Sequence, residues 1–171
     1  MLTPPRPALV ALCGMPGSGK STAAEQVVAG RVIHVSVDDC RAIVGHGPRD
    51  QRVTRDAFNL AYEQGRDAME FSSAIVLFDS TAISRPARAS LKRYAQRCKA
   101  PIYLVVFPLE WEQVLERNTA RDEGDRVPES KLRSMYKDYE ALDPVAEGFD
   151  RSANATSADE LRQALTSWRL T

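Results

Sequence analysis

The chain has 171 residues, 43% hydrophobic and 27% charged, with 23 basic side chains against 23 acidic ones. That length suits one domain with a real core, and the charge balance excludes a globally basic nucleic-acid binder, so any basic surface must be local. Three widely spaced cysteines (Cys13, Cys40, Cys98) without a CxxC exclude a disulfide framework, no apolar run is long enough for a membrane span, and MLTPPRPALVALCG lacks a signal-peptide pattern, which together predict a cytoplasmic setting.

The apolar run Ala8 to Cys13 predicts a buried strand, with prolines before it and glycines after it. Lys20 to Ala29 reads as a helix stopped by Gly30. Val32 to Val37 is a second β-rich run, with Asp38 past its end. Residues 52 to 72 read as helix, with Phe58, Ala61, Tyr62 and Met69 facing inward. Ala74 to Phe78 is a third strand ending at Asp79, and Pro86 to Cys98 a helix with Ala87, Leu91, Tyr94, Ala95 and Cys98 at helical spacing. Pro101 to Phe107 is a fourth strand, and Glu110 to Arg121 a helix, followed by the polar loop RDEGDRVP. Pro128 opens another helix at its favoured first turn, with Leu132, Met135, Tyr136 and Tyr139 on one stripe. Phe149 to Ala155 reads as a weak fifth strand. Ser157 to Trp168 closes the chain as a helix, with Ser157 and Glu160 spaced as a capping box.

Alternating strands and helices predict an α/β fold: a parallel sheet of four to five strands flanked by helices, one domain over residues 1–171. Ligands bind such sheets beyond the carboxyl ends of the strands. Gly14, Asp38 and Asp79 each lie just past a predicted strand end, so three separate stretches converge on one edge.

The stretch GMPGSGKST fits G-x-x-x-x-G-K-[ST] through Gly14, Gly19, Lys20 and Ser21, in a strand–loop–helix setting. Such a loop turns its backbone N–H groups toward phosphates, and the following helix points its positive end at them. Lys20 adds a cation at the β/γ-phosphates and Ser21 a hydroxyl for Mg²⁺. The nucleotide-binding set is Gly14, Pro16, Gly17, Ser18, Gly19, Lys20, Ser21 and Thr22. The motif specifies a nucleotide and leaves the acceptor open.

In Ser-Val-Asp-Asp-Cys-Arg, Asp38 is placed to take a proton from an attacking hydroxyl, or else to cap a helix. Arg41, three residues on, is either a grip on an acceptor phosphate or a solvated charge. Asp79 reads as a Walker-B-like group, holding Mg²⁺ water or orienting the acceptor; seven residues separate it from Pro86, so capping explains it poorly. Arg117 and Arg121 share a helix face and read as a lid over transferring phosphate, against the alternative of cations at a helix C-terminus. Arg85, Arg88, Lys92, Arg93, Arg97 and Lys99 form a run without acids, read as a solvated face in preference to a nucleic-acid track.

Together, GMPGSGKST, SVDDCR, FDST followed by PARASLKR, and RNTAR…RVPESKLRSMYK resemble the polynucleotide 5′-kinases, notably the kinase domain of the phage-type kinase–phosphatase. The likeness runs from about Leu9 to about Tyr139, and VPESKLRSMYK is its most distinctive part. It implies a P-loop kinase fold with a helical arginine lid over about 117–133, and ATP and Mg²⁺ as donor and cofactor. It further implies Lys20 and Ser21 on the phosphates and metal, Asp38 as general base, and Arg41 on the phosphate of the acceptor's terminal nucleotide. Asp79 and Thr81 fall on the acceptor side, and Arg117 with Arg121 or Arg126 over the donor phosphates. Thr81 stands where the phage enzyme has asparagine, and the lid loop is about one residue longer. No D-x-D-x-[TV] phosphatase stretch occurs. The implied reaction is transfer of the γ-phosphate of ATP to the 5′-OH of DNA or RNA. The alternatives are a P-loop kinase of a small acceptor (nucleoside, metabolite or antibiotic) and an ATPase or switch module.

Overall fold

In the computed structural model, which describes residues 6–171, the apolar run after the first prolines is strand β1 (Ala8–Gly14), buried at every position. The first five residues of the leader segment lie outside the described residues. A strand apolar on both faces needs cover on both, and β1 has it. Leu9, Ala11 and Cys13 point into one core, and Ala8, Val10 and Leu12 into another.

Four more strands complete the sheet: β2 (Val32–Ser36), β3 (Ile75–Asp79), β4 (Ile102–Phe107) and β5 (Arg151–Asn154). All pairings are parallel and the order is β2-β3-β1-β4-β5. The predicted parallel α/β sheet is therefore present, with β1 at its centre. Helices α2 (Val37–Val44), α3 (Thr54–Ser72) and α4 (Arg85–Arg97) belong to the face of Leu9 and Ala11. Helices α1 (Lys20–Val27) and α7 (Ala158–Ser167) cover the other, where Trp168 stacks on Tyr103 at 4.9 Å. Helices α5 (Trp111–Thr119) and α6 (Glu129–Glu140) share a third core with Met15 of the glycine loop, Ile83, Leu109, Val114 and Leu132.

Several element ends differ from the sequence expectation. Helix α1 ends at Val27 rather than Ala29, and Gly30 (φ 56°) makes its turn just beyond. Val37 is helical rather than extended, because the Ser36 hydroxyl accepts the backbone N–H of Asp39 and starts α2 there. Pro128 is the residue before α6, not its first. At α7 the Ser157 hydroxyl caps the N–H of Glu160, but the Glu160 carboxylate accepts from Thr156 instead of closing back on Ser157.

The cation run of α4 is not uniformly solvated. Arg88 is 1% exposed and makes a bidentate ion pair with Glu147, at 2.6 and 2.7 Å. Its remaining nitrogen donates to the carbonyls of Ala82 and Ile83, so the segment after β3 hangs on this guanidinium. The carboxyl of Glu147 is held below its usual range, chiefly by the hydrogen bonds from Arg88.

Candidate functional site

The glycine loop runs from β1 to α1 along the carboxyl edge of the sheet. Gly14 is tied there by its N–H to the carbonyl of Thr81, 3.1 Å away. A Cβ at Gly14 would lie 2.6 Å from the Ser18 hydroxyl and 3.0 Å from the carbonyl of Phe107, so only glycine fits between the loop and β4. Gly17 and Gly19 have φ of 83° and 86°, a region open to glycine and strained for other residues. Lys20 is buried as the first residue of α1, while Ser21 and Thr22 are exposed beside it.

Two features of the loop fit an anion. The Ser18 hydroxyl is buried and has no hydrogen-bond partner among the described residues. Burial lowers the pKa of Lys20 by more than the attraction of Asp79 and Asp38 raises it, so its charge is under-compensated. A polyphosphate relieves both.

Asp79, at the end of β3, is 5% exposed. His34 on β2 reaches it at 3.0 Å as a diagonal neighbour, because Ser36 is the residue paired with Asp79. Burial would raise the pKa of Asp79, but His34, the Lys20 cation and the Ser21 hydroxyl together hold it below the usual value. Of these partners Lys20 and Ser21 open α1 after the glycine loop, while His34 lies on β2, the strand that leads into α2 and Asp38. Thr81 is exposed two residues further on. Ser84 caps α4, which leaves Asp79 free of that task.

Asp38 is likewise free of capping, because Ser36 holds that position. Its side chain is 73% exposed and paired with Arg41 one helical turn later. Arg41 is no solvated charge: it is 7% exposed, donates to the carbonyl of Pro48 at 2.8 Å, and its Nε is buried without a partner among the described residues. The Asp38 carboxylate lies within electrostatic reach of both Lys20 and Arg121.

Helix α5 ends at Thr119 rather than Arg121, so only Arg117 is helical; Arg121 lies just past the helix end, and both stand over the glycine loop. Arg117 donates to the carbonyl of Gly17 at 2.5 Å. The guanidinium of Arg121 sits 3.5 Å from where a Gly17 Cβ would be. Partial burial lowers the pKa of Arg121, with repulsion from Arg49 adding to the effect and Asp38 opposing it. Arg126 points elsewhere, since its Nε donates to the backbone carbonyl of Arg121 at 3.1 Å. Of the two, Arg121 faces the loop.

Sequence reasoning missed four residues here. His34 was read only as part of a strand. Asn118 closes the base of the lid loop, exchanging two hydrogen bonds with the backbone of Val127, at 2.9 and 3.0 Å. Arg49, on the loop after α2, pairs with Asp125 of the lid loop and joins the two sides of the cleft. Met15 buries its side chain in the core of α5 and α6 and seats them on the glycine loop. Among the described residues no group of three or more His, Cys, Asp or Glu side chains could hold a metal, and no helix is long and apolar enough to cross a membrane.

The AAA domain family AAA_33 matches residues 9–142. No curated protein matches the chain. Among solved structures, a chain of the Pnkp1/Rnl/Hen1 RNA repair complex superposes with a TM-score of 0.68 at 24% identity, over 82% of this chain and 48% of its own length. The present chain thus spans about half of that neighbour. Chaetomium thermophilum Kti12 in complex with ADP-AlF3 gives 0.65 at 18%, covering 95% and 98% of the two chains. A gluconokinase from Sinorhizobium meliloti 1021 gives 0.56 at 19%, covering 95% and 92%. At such identities these likenesses speak for a shared fold. The family match runs from the central strand through both lid helices, and the chain belongs to the AAA domain family AAA_33, with the fold of P-loop kinases.

Proposed function

We propose that this protein is a polynucleotide 5′-hydroxyl kinase, passing the γ-phosphate of ATP to the 5′-OH of DNA or RNA. The observation that carries the reading is Asp38: an exposed carboxylate, free of any helix cap, within electrostatic reach of Lys20 and Arg121 and steadied by a buried arginine. A switch module has no use for such a group, whereas a kinase needs one beside the γ-phosphate. The acceptor is favoured by Arg41, whose Nε is buried and unpartnered, as suits a residue waiting for an acceptor phosphate. The sequence resemblance to polynucleotide 5′-kinases and the likeness to a chain of an RNA repair complex support the same choice.

In this reading the chain works as one unit over residues 1–171, with 117–133 as its lid. The glycine loop holds the donor phosphates through its backbone and Lys20. Mg²⁺ would be held by Ser21 with Asp79 behind it, few protein ligands being usual for this ion, and when bound it neutralises charge on the phosphates. Asp79 stands between Lys20 and Ser21 on one side and His34 of β2 on the other, in reach of both the metal and the acceptor end. Asp38 takes the proton of the 5′-OH, the freed oxygen attacks the γ-phosphorus, and the bond to ADP breaks in line. Arg117 and Arg121 balance the charge that gathers on the departing phosphate.

The test is label transfer. The protein is incubated with γ-labelled ATP, Mg²⁺ and equimolar 5′-OH DNA and RNA oligonucleotides, beside 5′-phosphorylated controls and a panel of nucleosides and sugars. Label on 5′-OH ends alone is the expected result. Label on a nucleoside or sugar alone moves the protein to a small-acceptor kinase, and label only in free phosphate makes it an ATPase.

A further inference from the structure

The cations of α4 fall into two sets, and the fold accounts for only one. Arg88 and Lys92, four residues apart, both turn to Glu147: Arg88 pairs with its carboxylate and Lys92 donates to its carbonyl. Arg93 and Arg97, also four apart, stand on a neighbouring stripe of the same helix and are exposed. Arg93 donates only to the Ser90 hydroxyl on its own helix, at 2.8 Å, and Arg97 has no hydrogen-bond or ionic partner among the described residues.

Facing them, α3 presents Phe58 and Tyr62, again four apart. Between the helices lies a groove of about 390 Å³ lined by Phe58, Tyr62, Ser80, Leu91, Arg93 and Arg97. The Tyr62 ring is fixed from below by stacking on Phe78 at 5.3 Å. Both guanidiniums are within electrostatic reach of its phenol. Ser80 directly follows Asp79, so the groove opens at the edge of the site described above. No acidic residue lies on α4 between Arg85 and Arg97. No acidic residue is among those lining the groove, and Glu63 lines the neighbouring hollow with Tyr62 and Arg97.

We propose that this groove binds the single-stranded nucleic-acid chain that trails from the phosphorylated end, a base lying against Phe58 and Tyr62 and the backbone phosphates against Arg93 and Arg97. The inference rests on the polynucleotide kinase reading for its substrate class. Aromatic rings beside arginines suit a single strand, because every base has a face to stack and every linkage a charge to neutralise. In a chain with equal numbers of cations and acids, such a strip is a local feature. A small acceptor, held wholly at Asp38 and Arg41, would have no use for it.

The experiment measures binding and transfer for 5′-OH oligonucleotides of two, five and ten residues, as DNA and as RNA, over a range of salt. The wild type should gain affinity with length. In the Arg93→Gln/Arg97→Gln double variant, whose replaced side chains are exposed, that gain should collapse. Decamer binding should weaken, and the log–log salt slope should fall by about 0.7 for each arginine lost. Phe58→Leu, which keeps a half-buried apolar side chain, should weaken the decamer and spare the dinucleotide. Affinity independent of length in the wild type, or an unchanged length dependence in the double variant, overturns the groove assignment, whether or not label is transferred. Length-dependent, arginine-dependent binding without transfer upholds the groove and overturns the kinase reading instead.

Discussion

The two sides of the cleft are built in opposite ways. On the proposed donor side the charged groups are buried and answer one another: Lys20 and Asp79 sit together with the half-buried His34 beside them, and the glycine loop is tied by a backbone hydrogen bond to the segment after β3. On the proposed acceptor side Asp38 is mostly exposed, the loop after α2 turns away from the core, and Arg41 keeps a buried nitrogen without a partner among the described residues. The difference matches two kinds of ligand. A polyphosphate presents the same oxygens every time and suits a preformed cradle. An acceptor that must enter, react and leave suits an open face with a few charged groups held in place by the fold.

That comparison can be broken at several points. Lys20→Ala removes the buried cation of the cradle and should lower kcat by about 100- to 1,000-fold, with weaker ATP binding by calorimetry. An effect confined to the acceptor KM would put Lys20 on the wrong side. Glu147→Gln leaves Arg88 buried beside a neutral partner and should cost about 3–5 kcal/mol of stability in urea unfolding. The pair also predicts a pH dependence. The carboxyl of Glu147 is held below its unfolded value of about 4.5, so its contribution is complete above that pH and fades on acidification through the lower folded value. The gap in stability between wild type and Glu147→Gln should therefore be full at pH 7 and narrow below pH 4.5.

Milder changes sharpen the picture. His34→Ala removes the main hydrogen bond holding the Asp79 carboxyl down, so Asp79 should protonate at higher pH. The acid limb of the kcat/KM profile should move upward while the plateau is nearly kept; an unmoved limb would show that Asp79 does not need its charge. Arg49→Ala breaks an exposed pair and should change stability by less than about 1 kcal/mol. It should raise the ATP KM a few-fold if the bridge to Asp125 helps seat the lid, and stopped-flow binding would report this as faster ATP release.

Much of the fold was legible because its signals are local. A buried strand running into GMPGSGKST fixes the loop, and the alternation of apolar runs with helical periods fixes the parallel sheet. The strand ends that bring Gly14, Asp38 and Asp79 to one edge could be read in the same way. What stayed hidden depends on partners distant in the chain. Arg88 looked like one cation among six because Glu147 lies 59 residues away. His34 meets Asp79 only through the register of β2 on β3. Whether Asp38 or Ser36 caps α2 turns on where the helix begins within two residues, and the hydroxyl wins there. The choice between Arg121 and Arg126 needed the course of the lid loop, set by Asn118 on the backbone of Val127.

The central claim is that Asp38 acts on the acceptor and leaves the donor site alone. The most direct test measures two quantities on one preparation of Asp38→Ala: ATP affinity by calorimetry, and transfer of label to a 5′-OH oligonucleotide. The account predicts ATP affinity within about twofold of wild type and transfer lowered by about 100- to 10,000-fold. Wild-type transfer by that variant would contradict it.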